Sequence, residues 1–241
     1  MARLHIGLSG FAYKEWQGEG LFYPPGLKSA EFFRHYSRRV NALEGVGMMY
    51  KMPTAAAMEK WAAESPDGFK VSPKMNQQVT HFQRLKPSSY ESARVFVDAM
   101  SPLEKANKLG PILLQLPPNM QRDDDLLTTF LQNVPQRDTV RWSMEFRNAS
   151  WNCTEVEQIL REHGVGWVAV EDDEADAQFR DTADHVYIRL RRLTYSDAQI
   201  QIWATLIKQK LSDGKDCYVY CRHKDTESPW LWVEKLQALV N

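Results

Sequence analysis

The sequence predicts an α/β fold of the (β/α)8, TIM-barrel-like class, in one domain over residues 1–241. Three observations carry that expectation. Short β-branched or aromatic runs alternate along the chain with longer stretches of helical period. There are about eight such runs, the number that closes a barrel of about 250 residues. No Ser/Gly linker or shift of composition divides the chain. The alternation and strand number leave an open doubly wound sheet as the rival architecture.

The strand-like runs cover residues 4–9, 42–46, 69–74, 112–116, 140–146, 166–171, 186–190 and 218–221. Helices are expected between them. A first runs from about Ser29 to Arg39 with Phe33, Tyr36 and Val40 inward, and a second from about Thr54 to Glu64. A longer one from about Ser88 to Lys108 contains Pro102, which cannot donate a backbone hydrogen bond and should bend or split it. Asp123 caps the next, whose stripe is Leu127, Phe130, Leu131 and Val134. Thr154 with Glu157, and Ser196 with Gln199, read as capping boxes, with Gly164 and Gly214 beyond the helix ends. Ser228 and Pro229 open the last helix, with Trp232, Leu236, Leu239 and Val240 as its stripe. The acidic stretch 172–184 has no stripe and is expected to be a degenerate crossover.

The composition, 43% hydrophobic and 25% charged, excludes disordered and collagen-like classes. Lys plus Arg (30) nearly equals Asp plus Glu (31), so no generally basic surface exists. An anionic partner must therefore meet a local patch. No apolar run approaches the roughly 20 residues of a membrane span. The opening Met-Ala-Arg-Leu-His-Ile-Gly has neither the apolar stretch nor the cleavage site of a signal peptide, and the chain is expected to be cytoplasmic with no membrane partner. Cys153, Cys217 and Cys221 have no metal-type spacing and are expected to be free thiols. No phosphate-loop pattern occurs and no cofactor is expected.

In a barrel of this class, chemistry sits at the C-terminal strand ends. Those ends carry Glu44, Lys74, Gln115, Glu145 with Arg147, Arg189 with Arg191, and Arg222 with His223. Strand alternation puts Glu145 and Arg147 on one face, and likewise Tyr187, Arg189 and Arg191. Such charges are costly in a core unless they pair with each other or with a ligand. The cations outnumber the carboxylates, which suits a phosphate-bearing anion. Glu44 and Glu145 read either as an acid/base pair or as buried counter-ions. His223 lacks the additional donors that a metal site needs. Tyr13, Trp16, Tyr50 and Trp151 read either as stacking surfaces for a ligand or as packed walls.

The strand-end residues belong to a longer pattern: Ile6-Gly7-Leu8-Ser9-Gly10-Phe11-Ala12-Tyr13 with Trp16, Phe22-Tyr23-Pro24, Asn41 to Glu44, Gln115-Leu116-Pro117-Pro118, Glu145-Phe146-Arg147 with Trp151, and Tyr187-Ile188-Arg189-Leu190. With these segments in order, the chain resembles the YecE-like family, also called domain of unknown function 72, over nearly its whole length. The resemblance implies a TIM-like barrel, bacterial in most cases, and carries no assigned activity. The chain departs from the family pattern V-E-I-N-S-T-F-Y, with Leu43-Glu44-Gly45-Val46-Gly47-Met48-Met49-Tyr50 in its place. It also has Arg191 where the family reads His, and Cys221-Arg222-His223 where it reads F-N-N. The resulting expectation is a barrel that binds a nucleotide, a nucleic-acid segment or another anionic small molecule through Lys74, Gln115, Arg147, Arg189, Arg191, Arg222 and His223. If it turns over, phosphodiester or glycosidic hydrolysis with Glu145 and Glu44 as the catalytic pair is the natural reaction. The alternative is a non-catalytic binding or scaffold protein that has lost part of the family pocket.

Overall fold

A computed structural model describes residues 1–135, 137–222 and 228–240. The strands are β1 (Leu4–Ser9), β2 (Ala42–Gly45), β3 (Lys70–Pro73), β4 (Ile112–Gln115), β5 (Trp142–Glu145), β6 (Gly166–Glu171), β7 (His185–Leu190) and β8 (Asp216–Cys221). All neighbouring pairs are parallel, in the order β3-β2-β1-β8-β7-β6-β5-β4. Bridges from Val71 to Leu109 and from Lys74 to Leu113 bring the two edges together, so the sheet is a nearly closed barrel and the open doubly wound alternative falls away.

The helices are α1 (Phe32–Arg39), α2 (Ala55–Glu64), α3 (Tyr90–Ala99), α4 (Ser101–Lys105), α5 (Asp124–Asn133), α6 (Thr154–Glu162), α7 (Asp197–Ser212) and α8 (Pro229–Val240). Pro102 does split the long helix, because the chain breaks at Met100 and Pro102 lies in the first turn of α4. Asp123 accepts from Leu126 N, and Ser196 with Gln199 forms the full capping box. Two details differ from expectation. Thr154 is the first residue of α6 and not its cap; that place falls to Cys153, and Glu157 turns instead to Arg180 and Arg161. The buried face of α8 is Trp230, Val233 and Leu236; Leu236 is as expected, while Trp232, Leu239 and Val240 pack on the core only partly buried, with Trp232 edge-on to Tyr195. Trp230 is drawn inward by Trp16 and Phe22, a cluster no local period could announce.

The stretch 172–184 contains no helix. It crosses from β6 to β7 held by side chains: Phe179 packs on Trp203, Arg180 lies over Trp167, and Asp181 accepts from Lys210 and Lys215.

Strand alternation sorts the residues into two cores. Helix-facing positions build the large outer core with Ile6, Leu8, Ile112, Leu114, Ile188 and Val219. Ala42, Leu113, Val168, Tyr187, Tyr218 and Tyr220 fill the barrel. Gly7 is required where β1 meets β2: the Tyr36 hydroxyl inserts there, accepting from Leu8 N at 2.7 Å and donating to Ala42 O at 2.9 Å. A Cβ on Gly7 would fall 1.8 Å from Ala42 O.

Candidate functional site at the barrel mouth

The C-terminal strand ends converge on one guanidinium. Arg189 of β7 is buried, donating from Nη2 to Glu44 Oε2 of β2 at 2.8 Å and from Nη1 to Glu145 Oε2 of β5 at 2.5 Å. The Tyr187 hydroxyl, two residues earlier on the same face, donates to Glu44 Oε1 at 3.0 Å. On the other side, Lys74 Nζ donates to Gln115 Oε1 at 2.7 Å, Gln115 Nε2 donates to Glu145 Oε1 at 2.7 Å, and Arg147 Nε reaches the same oxygen at 3.1 Å. Five strands thus supply one continuous hydrogen-bonded layer.

Its electrostatics follow from that geometry. Burial alone would raise the Glu145 carboxyl, but Arg189 and Arg147 overcome it and hold it down to about 2. Glu44 is likewise held below the ordinary carboxylate value by Arg189 against its burial. The expected acid/base pair is therefore, in this geometry, a pair of ionised counter-ions on Arg189. Burial and the nearby Arg189 bring the Lys74 ammonium down to about 8, and burial with Arg189 as neighbour brings Arg191 to about 10. Among the described residues, neither Arg191 nor Arg222 has a carboxylate within ion-pair reach.

The predicted aromatic set divides. Tyr50 is 71% exposed beside the mouth, and Tyr13 is half-buried with its hydroxyl on Ser9 O at 2.9 Å. Trp16 and Trp151 are corrected to core residues: Trp16 packs among Tyr13, Phe22, Tyr23 and Trp230, while Trp151 stacks on Phe146 and donates to Met120 O. Neither indole can reach a ligand. His223 lies outside the described residues. Cys217 and Cys221 are buried free thiols on the helix-facing side of β8.

Sequence reasoning missed the turn after β3. There Gln78–Phe82 winds as a π-turn, and Arg84 and Leu85 adopt positive φ of 50° and 61°. Such turns and such backbone strain gather at functional sites. The segment carries His81, kept below the ordinary imidazole value by burial and by Lys74, Arg147 and Arg84. Its only sequence signal was a lack of period between Lys74 and Pro87.

A cavity of about 430 Å³ adjoins this layer, with Glu44 in its wall, between the ends of β1 and β2 and helix α2. A second, of about 400 Å³, opens at the opposite end of the barrel around Arg3, His5, Lys70 and Arg141. There Arg141 is paired with Asp216 at 2.7 Å and Asp184 at 3.1 Å, while Lys70 rests on Asn107 O at 2.9 Å. Chemistry in barrels of this class sits at the C-terminal strand ends, which makes that mouth the candidate site. Among the described residues, no helix is long and apolar enough to cross a membrane.

Known proteins share this frame. The chain is 28% identical to UPF0759 protein YunF of Bacillus subtilis (strain 168) over 151 residues, covering 61% of this chain and 52% of that protein. It is 27% identical to UPF0759 protein YecE of Escherichia coli (strain K12) over 133 residues, covering 55% of this chain and 44% of that one. The matched region spans about half the length of these relatives. Among solved structures, a DUF72 family protein from Thermotoga maritima MSB8 superposes with a TM-score of 0.78 at 20% identity, covering 99% of both chains. One from Enterococcus faecalis V583 gives 0.75 at 15% identity, covering 100% of this chain and 98% of that one. The sequence profile described as "Protein of unknown function DUF72" matches residues 5–241, and the chain belongs to that family.

Proposed function

We propose that the barrel mouth binds a phosphate-bearing ligand, and that it does so without using Glu44 and Glu145 as acid and base. The observation that carries this reading is the charge imbalance of the layer. Lys74, Arg147, Arg189, Arg191 and Arg222 stand against Glu44 and Glu145, and Arg189 takes both carboxylates. Lys74 then rests on a neutral amide, Arg147 keeps its terminal nitrogens open, and Arg191 and Arg222 have no counter-ion among the described residues. Concentrating like charges in a low-dielectric mouth is unfavourable unless an anion completes it. Arginine forks suit phosphate oxygens, and Tyr50, just beyond the end of β2, presents an exposed ring.

A glycosidic or phosphodiester hydrolase using the two carboxylates is less well supported. Such a reaction needs either a carboxyl protonated near neutral pH as the acid, or a carboxylate with a free oxygen and a value near neutrality as the base. Glu145 at about 2, with hydrogen bonds on both oxygens, does not meet that need. The binding or scaffold reading is favoured for this reason.

The test is titration of the protein with inorganic phosphate, adenosine monophosphate and a short oligonucleotide at 50 and 200 mM salt, conditions chosen to expose counterion release. Affinity for at least one of them should fall steeply with salt, and should fall about tenfold or more in Arg191→Ala and Arg147→Ala. Binding that ignores salt, or survives both substitutions, would overturn the proposal.

A further inference from the structure

We infer that the ligand of the mouth carries an apolar substituent, and that the cavity beside Glu44 is its binding slot: the chemical class is a phosphate monoester of an apolar alcohol. This deepens the anion reading of the previous subsection and rests on it.

The slot is lined mainly by carbon and sulfur. Phe11, Met48, Met52, Met58 and Trp61 form its walls, and Ala57 of α2 lies at its exposed edge. Its volume of about 430 Å³ far exceeds the share of a single water in the liquid, about 30 Å³. Glu44, Tyr13 and Thr54, three of the polar side chains that border it, are spoken for. Glu44 holds Arg189 and Tyr187, the Tyr13 hydroxyl donates to Ser9 O, and Thr54 caps α2 by accepting from Ala57 N. A heterocyclic base placed there would leave its own hydrogen-bonding groups unmet, at the cost of their desolvation. An alkyl or aryl group would lose nothing, and the unbranched methionines can repack around it.

Two further observations tie the slot to the mouth. Glu44 is a wall of the slot and a ligand of Arg189, so one residue separates the apolar space from the cationic layer. The loop that lines the slot is also fixed to the turn beyond Lys74, because Asn76 Nδ2 donates to Met48 O at 3.2 Å. Val46, Gly47 and Met48, from the turn after β2, bring no polar side chain to it. Lys51, exposed and also lining the cavity, adds a further cation at its border.

The experiment is calorimetric titration of the full chain with methyl, butyl and octyl phosphate, the last kept below its micelle concentration. The same series is run on Ala57→Trp, which fills the slot from an exposed helix position, and on Met52→Gln, which makes its wall polar without adding charge. Affinity should rise about fourfold per methylene buried, from the transfer free energy of a methylene group. Both variants should abolish that rise while leaving methyl phosphate unchanged. Equal affinity for methyl and octyl phosphate, or a chain-length gain that survives both variants, would overturn the slot and leave the anion reading intact. Octanol binding as tightly as octyl phosphate would overturn the link between slot and mouth. Failure of every phosphate to bind would sink the anion reading itself. Binding only to vesicles of phosphatidic acid, with no response to soluble octyl phosphate, would assign the surface to a membrane and overturn the inference.

Discussion

Arg189 is the residue on which the charged layer depends most, and Arg189→Met tests that directly. The substitution removes the guanidinium and keeps a side chain of comparable reach, leaving Glu44 and Glu145 buried with no cation between them. Breaking a buried ion pair from one side costs about 3–5 kcal/mol, because the remaining charge is neither solvated nor paired. The proton linkage gives a figure of the same size. In the intact protein the Glu145 carboxyl falls from its ordinary 4.5 to about 2. At about 1.4 kcal/mol for each tenfold change in the acid constant, that is about 3 kcal/mol of stability present at neutral pH. Because the folded-state value is depressed, this stability is present above the unfolded carboxylate value and is lost as pH falls toward 2. In Arg189→Met the sign reverses. Burial now dominates at Glu44, whose ion-pair partner among the described residues was Arg189, while Glu145 keeps Arg147; the Glu44 carboxyl then titrates above its unfolded value, and the protein should regain stability as pH falls from 8 toward 5. Urea unfolding across that range, followed by tryptophan fluorescence, reads both effects. The expected result is a loss of about 3–5 kcal/mol at pH 7.5, recovered in part at pH 5, and recovered at neutral pH by adding Glu44→Gln and Glu145→Gln. A loss under about 1 kcal/mol at pH 7.5, or one that does not shrink on acidification, would refute the account of the layer as two carboxylates held by one arginine.

Other outcomes follow from the same structure. Arg191→Ala should lower phosphate affinity while leaving the urea midpoint unchanged or higher, because Arg191 is a largely buried cation with no counter-ion among the described residues; a large loss of stability would contradict this. Anion affinity should decline as pH rises through about 8, where Lys74 loses its proton, and Lys74→Arg should move that decline upward; a flat profile to pH 9.5 would remove Lys74 from the site. Gly7→Ala should cost more than about 2 kcal/mol, since its Cβ would meet the Ala42 carbonyl and the Tyr36 hydroxyl, and a wild-type melting temperature would contradict the packing described. Only Cys153 should react promptly with a thiol reagent in the native protein, because burial pushes Cys217 and Cys221 up to about 12; all three should react in denaturant.

How much of this was legible beforehand varies with the range of the interaction concerned. The strand boundaries at residues 4–9 and 166–171 coincide with β1 and β6, because apolar runs bounded by polar residues report local backbone preference directly. The shared face of Glu145 and Arg147, and of Tyr187 and Arg189, follows from the two-residue period of any strand. What the period leaves open is the partner across the barrel. Arg189 bonds to Glu44, 145 residues away in sequence, and to Glu145, 44 residues away. The same holds for Trp16 and Trp151, whose aromatic type admits both a stacking platform and a core filler until the packing is known. The π-turn carrying His81 has no period to detect.

The sequence by itself determined the alternation of strands and helices, the direction in which each strand presents its charged residues, and the excess of cations at the strand ends. These are local consequences of side-chain periodicity and of where polar residues interrupt it. Only the tertiary structure decided which charges cancel. Ion pairing depends on distances of a few ångströms between residues brought together by barrel closure, and those distances make Glu44 and Glu145 counter-ions of Arg189 while Arg191 and Arg222 remain unpaired among the described residues. Tertiary packing also decided that the space beside Glu44 is mainly apolar, since its walls come from the ends of β1 and β2 and from α2 packed beside them.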